Sequence, residues 1–193
     1  MSFTGDDSLT RLIEAYRDGD REAFDRLVER AYAELRVLAR QQMRRARGQG
    51  TLETGALIHE AYLRLAEESG LDLRERGHFY AVMARAMRFV VVDHARRRGA
   101  AKRGGGVAAT TLDPELAGTE QPAELVLAVH SAIESLESFA PRLARIVEGR
   151  FFAGYSDDEL ARALDVTPRT VQRDWLRARA WLQRLLAADP AAG

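Results

Sequence analysis

The chain has 193 residues, 46% of them hydrophobic and 30% charged, and its 29 basic and 29 acidic side chains leave no net charge. That length allows one sizeable domain or two small ones with buried cores. The absence of cysteine excludes disulfides, thiolate zinc sites and thiol redox sensing. No apolar run approaches a membrane span, and residues 1–7 lack the basic and apolar regions of a signal peptide, so a cytoplasmic protein without membrane insertion is expected.

In chain order the predicted elements are all helical. Leu9, Leu12, Ile13 and Tyr16 mark a short helix that ends at Gly19. Asp20 then caps a long one carrying Phe24, Leu27, Val28, Tyr32, Leu35, Leu38 and Met43, which Gly48-Gln49-Gly50 breaks. A third helix holds Leu57, Ile58, Ala61, Tyr62 and Leu65 and stops before Gly70. After a loop over 70–77, a fourth runs from His78 to about Arg98 with Phe79, Val82, Met83, Met87, Val90 and Val91 at helical spacing. Residues 101–122, with Gly104-Gly105-Gly106, Thr110-Thr111 and two prolines, read as a flexible linker. Beyond it, Leu125, Val129, Ile133 and Leu136 make one helix, and Pro141 opens the next with Leu143, Ile146 and Val147. The expected fold is all-α: two small helical domains, residues 8–100 and 123–187, joined by that linker. The sequence leaves open whether the two halves pack together and cover each other's surfaces.

The most informative stretch is 156–179, which reads as a helix-turn-helix. Ser156 and Glu159 have the spacing of a capping box, and Leu160, Ala161 and Leu164 form an apolar face. Thr167-Pro168 restarts a helix, because Thr caps well and Pro is tolerated at the first helical position. The second helix opens with Arg169, Thr170, Gln172 and Arg173, followed by Arg177, where a recognition helix meets base edges in the major groove. Val171, Trp175 and Leu176 are expected to face inward. An ordinary helical hairpin with a solvated arginine face is the plain alternative.

Zero net charge hides an uneven distribution. Arg96, Arg97, Arg98, Lys102 and Arg103 form one basic block. Arg40, Arg44, Arg45 and Arg47 form another. Arg169, Arg173, Arg177, Arg179 and Arg184 line the last helix against Asp174. Arginine pairs bidentately with phosphate or guanine at any working pH, so three such clusters favour nucleic acid. Catalysis finds no support. His59-Glu60 lacks the second histidine of a zinc-protease motif, the position falling on Leu63. His130 stands alone and reads as a surface or half-buried residue. Nothing calls for a catalytic residue, a metal or a cofactor.

The helix order, together with Glu60-Ala61-Tyr62-Leu63-Arg64-Leu65, the segment from Phe79-Tyr80 to Asp93-His94-Ala95-Arg96-Arg97-Arg98, and Tyr155-Ser156 through Arg179, resembles a bacterial sigma factor of the extracytoplasmic-function group, in the sigma-70 family, over residues 8–187. The resemblance implies that residues 8–100 grip the polymerase and open the minus-ten element, while 123–187 read the minus-thirty-five element. It places Glu53, Leu57, Ile58, Glu60 and Tyr62 against core RNA polymerase. Arg74, Arg76, His78, Phe79 and Tyr80 would lie on the melted strand, and Arg96, Arg97 and Arg98 on upstream phosphates. Arginines suit phosphates, and aromatics suit stacking on unpaired bases, although Phe79 equally suits core packing.

The chain departs from the family in one place. Where members usually carry Asp-Ala-Glu-Asp-Leu-Val-Gln-Glu, it has Glu53-Thr54-Gly55-Ala56-Leu57-Ile58-His59-Glu60, with Gly55 and Ala56 replacing two acids. A phosphate on Thr54, with Thr51 the second choice, would restore negative charge beside a helix N-terminus. Members lacking the acidic run include some switched by a threonine kinase, so such a kinase or an anti-sigma factor joins core polymerase and promoter DNA as an expected partner. The other reading of the threonines is that they only cap the helix. The alternative for the whole chain is a helix-turn-helix regulator that binds DNA without polymerase.

Overall fold

The structure, a computed structural model, describes residues 7–45, 52–68, 71–103 and 123–188. All regular structure among them is helical, as the sequence predicts: α1 (Asp7–Arg17), α2 (Glu22–Arg30), α3 (Tyr32–Arg45), α4 (Thr54–Ala66), α5 (Arg76–Arg103), α6 (Ala123–Phe139), α7 (Pro141–Glu148), α8 (Asp157–Ala163) and α9 (Pro168–Ala188). Among the described residues no helix is long and apolar enough to cross a membrane.

Gly19, at φ +104°, turns the chain after α1. The Asp20 carboxylate then accepts from the Ala23 N–H at 3.2 Å and starts α2, the capping role expected of it. The long helix predicted after Asp20 is two helices, with Ala31 leaving helical geometry at φ −89°, ψ 5°. No Gly or Pro marks the break, and the apolar stripe runs through it unchanged. The bend serves packing: α2 lies on α1, while α3 turns away to lie on α4 and α5. Gln42 ties α3 to α5 by donating to the buried Ala84 carbonyl at 2.8 Å.

The central element is α5. It starts at Arg76 rather than His78 and runs to Arg103, so the first three residues assigned to the linker continue a helix. The rest of the predicted linker, 104–122, lies outside the described residues. One side of α5 buries Phe79, Tyr80, Met83, Met87 and Val91 against the core of α1–α4. Its other side meets α6, α7 and α8, and Ala84 enters a cluster with Ile146, Tyr155, Leu160 and Val171 from the second half. A further cluster, Ile133, Leu136, Ala144, Val147 and Ala178, belongs to the second half alone. The two halves therefore pack together along α5.

After α7 the chain makes a π-helical turn at Gly149–Ala153, closed by Gly154 at φ +72°. Gly149 leaves room for the buried Leu160 side chain: a Cβ there would stand 2.5 Å from Leu160 Cδ2 and force it to move. The capping box read at Ser156 and Glu159 is present and starts α8. Asp165 turns the chain at φ +51°, a conformation its short polar side chain tolerates. The Thr167 hydroxyl accepts from the Thr170 N–H at 3.2 Å, and Pro168 is the first residue of α9.

Candidate nucleic-acid interface

The clearest basic face is on α9. Val171 and Ala178 are fully buried, which turns Arg169, Gln172, Arg173 and Arg177 outward, all exposed. Behind them the Asp174 carboxylate is fully buried. Its Oδ2 accepts from Arg142 Nε at 2.9 Å and pairs with the same guanidinium's Nη2 at 2.7 Å. Oδ1 stands 3.5 Å from Arg173 Nε and 3.7 Å from Arg177 Nη1. A buried carboxylate is tolerable only when paired, so the acid that appears in sequence to oppose the arginines instead anchors them from beneath. It also recruits Arg142 to this face, a residue that sequence reading missed because 32 residues separate it from Asp174.

Two expectations on α9 change. Thr170 is half-buried and its hydroxyl lies 3.0 Å from that of Thr167, so it belongs to the cap more than to a reading face. Leu176, expected inward, is 64% exposed. Trp175, also expected inward, does pack there, with its ring 5.4 Å from Phe151 and the Arg150 guanidinium over its face. Gln172 donates to Asp157 at 3.1 Å, a bond at the surface.

In the first half, Arg74 is exposed and pairs with Asp72 at 2.9 Å; that hydrogen bond holds the Asp72 carboxyl below its usual range. The Arg74 N–H donates to His78 Nδ1 at 3.3 Å. Burial pushes the half-buried His78 imidazole below its ordinary value. Arg76 is half-buried, with a buried Nε that has no hydrogen-bond partner. Phe79 and Tyr80 are 1% and 0% exposed. Phe79 packs edge-on to Phe24 at 6.5 Å, so core packing has claimed both rings and no base can stack on them in this conformation. Arg96 lies 3.5 Å from Asp93, Arg97 is exposed and Arg98 half-buried. The side chains of Lys102 and Arg103 lie outside the described residues.

Arg74 and His78 face a cleft of about 580 Å³ between the halves, shared with Arg85, Arg145 and Arg162. At its floor Arg88, 3% exposed, donates to Glu148 Oε1 at 2.5 Å and to His130 Nδ1 at 2.5 Å. Arg85 adds a pair of bonds to Glu137 at 3.0 and 3.2 Å. His130, far from standing alone, is 2% exposed, and its Nε2 lies 3.3 Å from Glu134. Burial, followed by the Arg88 cation, pushes its pKa down. A neutral imidazole results, accepting from Arg88 and donating to Glu134.

The α4 face is partly as expected. Glu53 and Glu60 are exposed, but Leu57 and Ile58 are 0% and 2% exposed; they are core residues, and any polymerase contact on this helix falls to its other side chains. Tyr62 donates to Asp25 at 2.8 Å, a bond that raises its pKa. With Asp25, Glu29, Tyr32, Gly55 and His59, Tyr62 lines a groove of about 310 Å³ between α2 and α4. Asp25 and Glu29 thus bring negative charge beside the position where the family's acids are replaced. Thr54 does not cap α4: Glu53 holds the N-cap position without a side-chain bond, and the half-buried Thr54 hydroxyl donates to the Met43 sulfur at 3.7 Å. Thr51 lies outside the described residues.

The sequence pattern of one protein family, described as ECF sigma factor, matches residues 6–188. No curated protein matches the chain.

Proposed function

The chain belongs to the ECF sigma factor family and directs bacterial RNA polymerase to promoters; from that premise we propose that residues 8–100 engage core polymerase and the minus-ten element while 123–187 read the minus-thirty-five element. The observation that carries the second assignment is the outward face of α9, where Arg169, Gln172, Arg173 and Arg177 stand together over a buried backing. In the first half, exposed Arg74 and Arg97 are the residues best placed to hold phosphates. The packed arrangement is a resting form, because half-buried His78 faces the cleft between the halves and reaches DNA only when it opens, whereas Arg74 is exposed already. Gel filtration with core polymerase and a fork-junction promoter tests this reading. Co-elution of all three is expected; a chain that binds duplex DNA alone and ignores core polymerase would be the polymerase-independent regulator instead.

A second layer concerns control. The factor is weakly active as synthesised and is switched on by a serine/threonine kinase acting on Thr54. Gly55 and Ala56 stand where the family has acids, the first turn of α4 has no acidic residue, and Thr54 is not consumed as a cap. A phosphate there adds about two negative charges beside the positive end of the helix dipole. Thr54→Glu should partly raise affinity for core polymerase and transcription, while Thr54→Val should abolish activation with the fold intact. A Val variant that transcribes in cells as well as the parent would leave the threonine a structural residue and control to an anti-sigma factor.

A further inference from the structure

Among the described residues Leu176 is the most exposed of the large hydrophobic side chains, at 64%, and none of the roles above uses it. It is not a core residue out of place, because the inner side of α9 is already filled by Val171, Asp174, Trp175 and Ala178. At about 100° per residue, Leu176 lies within about 20° of Arg169 around the helix, with Gln172 about 40° to one side and Arg173 about 60° to the other. It therefore occupies the middle of the face that carries the arginines.

The surroundings decide what could cover it. Arg169, Arg173 and Arg177 are exposed around it, and the acid nearest to them, Asp174, is buried beneath. An apolar pocket on a protein would have to desolvate these guanidiniums to reach the leucine. A DNA major groove offers phosphates and guanine edges to the arginines, and its one apolar feature is the C5-methyl of thymine. Leu176 stands about 4.5 Å further along the axis than Arg173, little more than the rise of about 3.4 Å between base pairs.

We infer that Leu176 is a specificity-determining contact: it packs on the methyl group of a thymine within about two base pairs of the base read by Arg173, and so selects an A·T pair there. The inference rests on the reading of α9 as the recognition helix.

The test uses the full chain bound to core polymerase, and as probe a minus-thirty-five duplex selected from a randomised pool. Each thymine is replaced in turn by deoxyuridine, which removes only the methyl. One replacement should weaken binding about fourfold, the scale expected for one buried methyl. The Leu176→Ala holoenzyme should bind the thymine and uridine duplexes equally. The inference is overturned if no thymine shows a methyl effect, if the Ala variant keeps the same effect, or if Leu176→Ala instead loses core polymerase, which would make the leucine a protein contact. Arg173→Ala separates the two levels. If it relaxes one base position while the methyl effect is absent, the leucine assignment alone fails; if it changes no base preference, the recognition-helix reading fails with it.

Discussion

Two helices of this protein carry the same residue type to opposite ends. On α9, Arg173 and Arg177 have side chains 58% and 65% exposed and share one buried acid at long range. On α5, Arg88 is 3% exposed and close-paired with Glu148, and Arg85 joins Glu137. The first set is available to a polyanion. Arg88 is occupied inside the molecule, and together with the more exposed Arg85–Glu137 pair it fastens one half to the other. A basic cluster in a sequence thus says nothing about availability; the acids that the fold brings opposite decide it. The consequence is asymmetric: the face proposed for minus-thirty-five DNA and the exposed Arg74 are open in the packed form, whereas half-buried His78 sits in the cleft beside the fastening.

The strongest way to break this comparison is to remove an acid from the buried side. Glu148→Ala leaves the Arg88 guanidinium buried and without its carboxylate, a change that costs about 3–5 kcal/mol when a buried pair loses one partner. The halves should separate, since opening is the cheapest way to hydrate Arg88. Because the chain has no cysteine, dyes on Arg36→Cys and Gln183→Cys report the separation by energy transfer. Replacing both partners instead, as Arg88→Met with Glu148→Leu, should be near neutral, because apolar side chains of similar size remove the desolvation cost along with both charges. A Glu148→Ala variant that stays closed would mean that packing around Ala84, not the ion pair, sets the closed form.

The open side is probed by a milder contrast. Arg173→Ala should cost about 1–3 kcal/mol at one base position of the promoter. Arg97→Ala, at an exposed position proposed to meet phosphates, should weaken binding to all promoters about equally and lower the salt slope by about one. An Arg173 variant as blind to sequence as the Arg97 variant would show that α9 does not read bases.

What the sequence made legible follows from range. Local signals held: the capping box at Ser156 and Glu159, the Thr167 cap before Pro168, the Asp20 cap and the turn at Gly19 all act within a few residues and appear as read. The break at Ala31 was invisible because the apolar period crosses it in phase, and only the positions of α1, α4 and α5 require it. His130 looked isolated because its partner Arg88 is 42 residues away. Phe79, Leu57 and Ile58 carry both a core signal and a functional one, and the core prevails; Tyr80 reads only as a stacking residue and is fully buried. Leu176 failed in the other direction: three apolar residues near one another suggested one inward face, but the helix has room inside for Val171 and Trp175 and not for the third.

The smallest expected effect is on pH, and it sharpens the account of the buried side. His130 is held below its ordinary 6.5 by burial and by Arg88, opposed by Glu134. Arg96 and Asp93 act on it more weakly, and Glu148 reaches it only through Arg88. Separation of the halves would free the imidazole and return it towards 6.5. Protons therefore bind the open form more readily than the closed one. Closure should be complete above that value and weaken as the pH falls below it towards the depressed one. Energy transfer between the same two dyes should hold steady above about pH 6.5 and fall progressively as the pH is lowered below it. His78 and His94 are also lowered by burial, so the test lies in subtraction. His130→Gln keeps a side-chain acceptor for Arg88 but has no proton to gain, and should flatten most of the change. If the slope survives in the Gln variant, the proton is taken up by His78 in the cleft or by His94, and the imidazole at the floor is a fixed acceptor only.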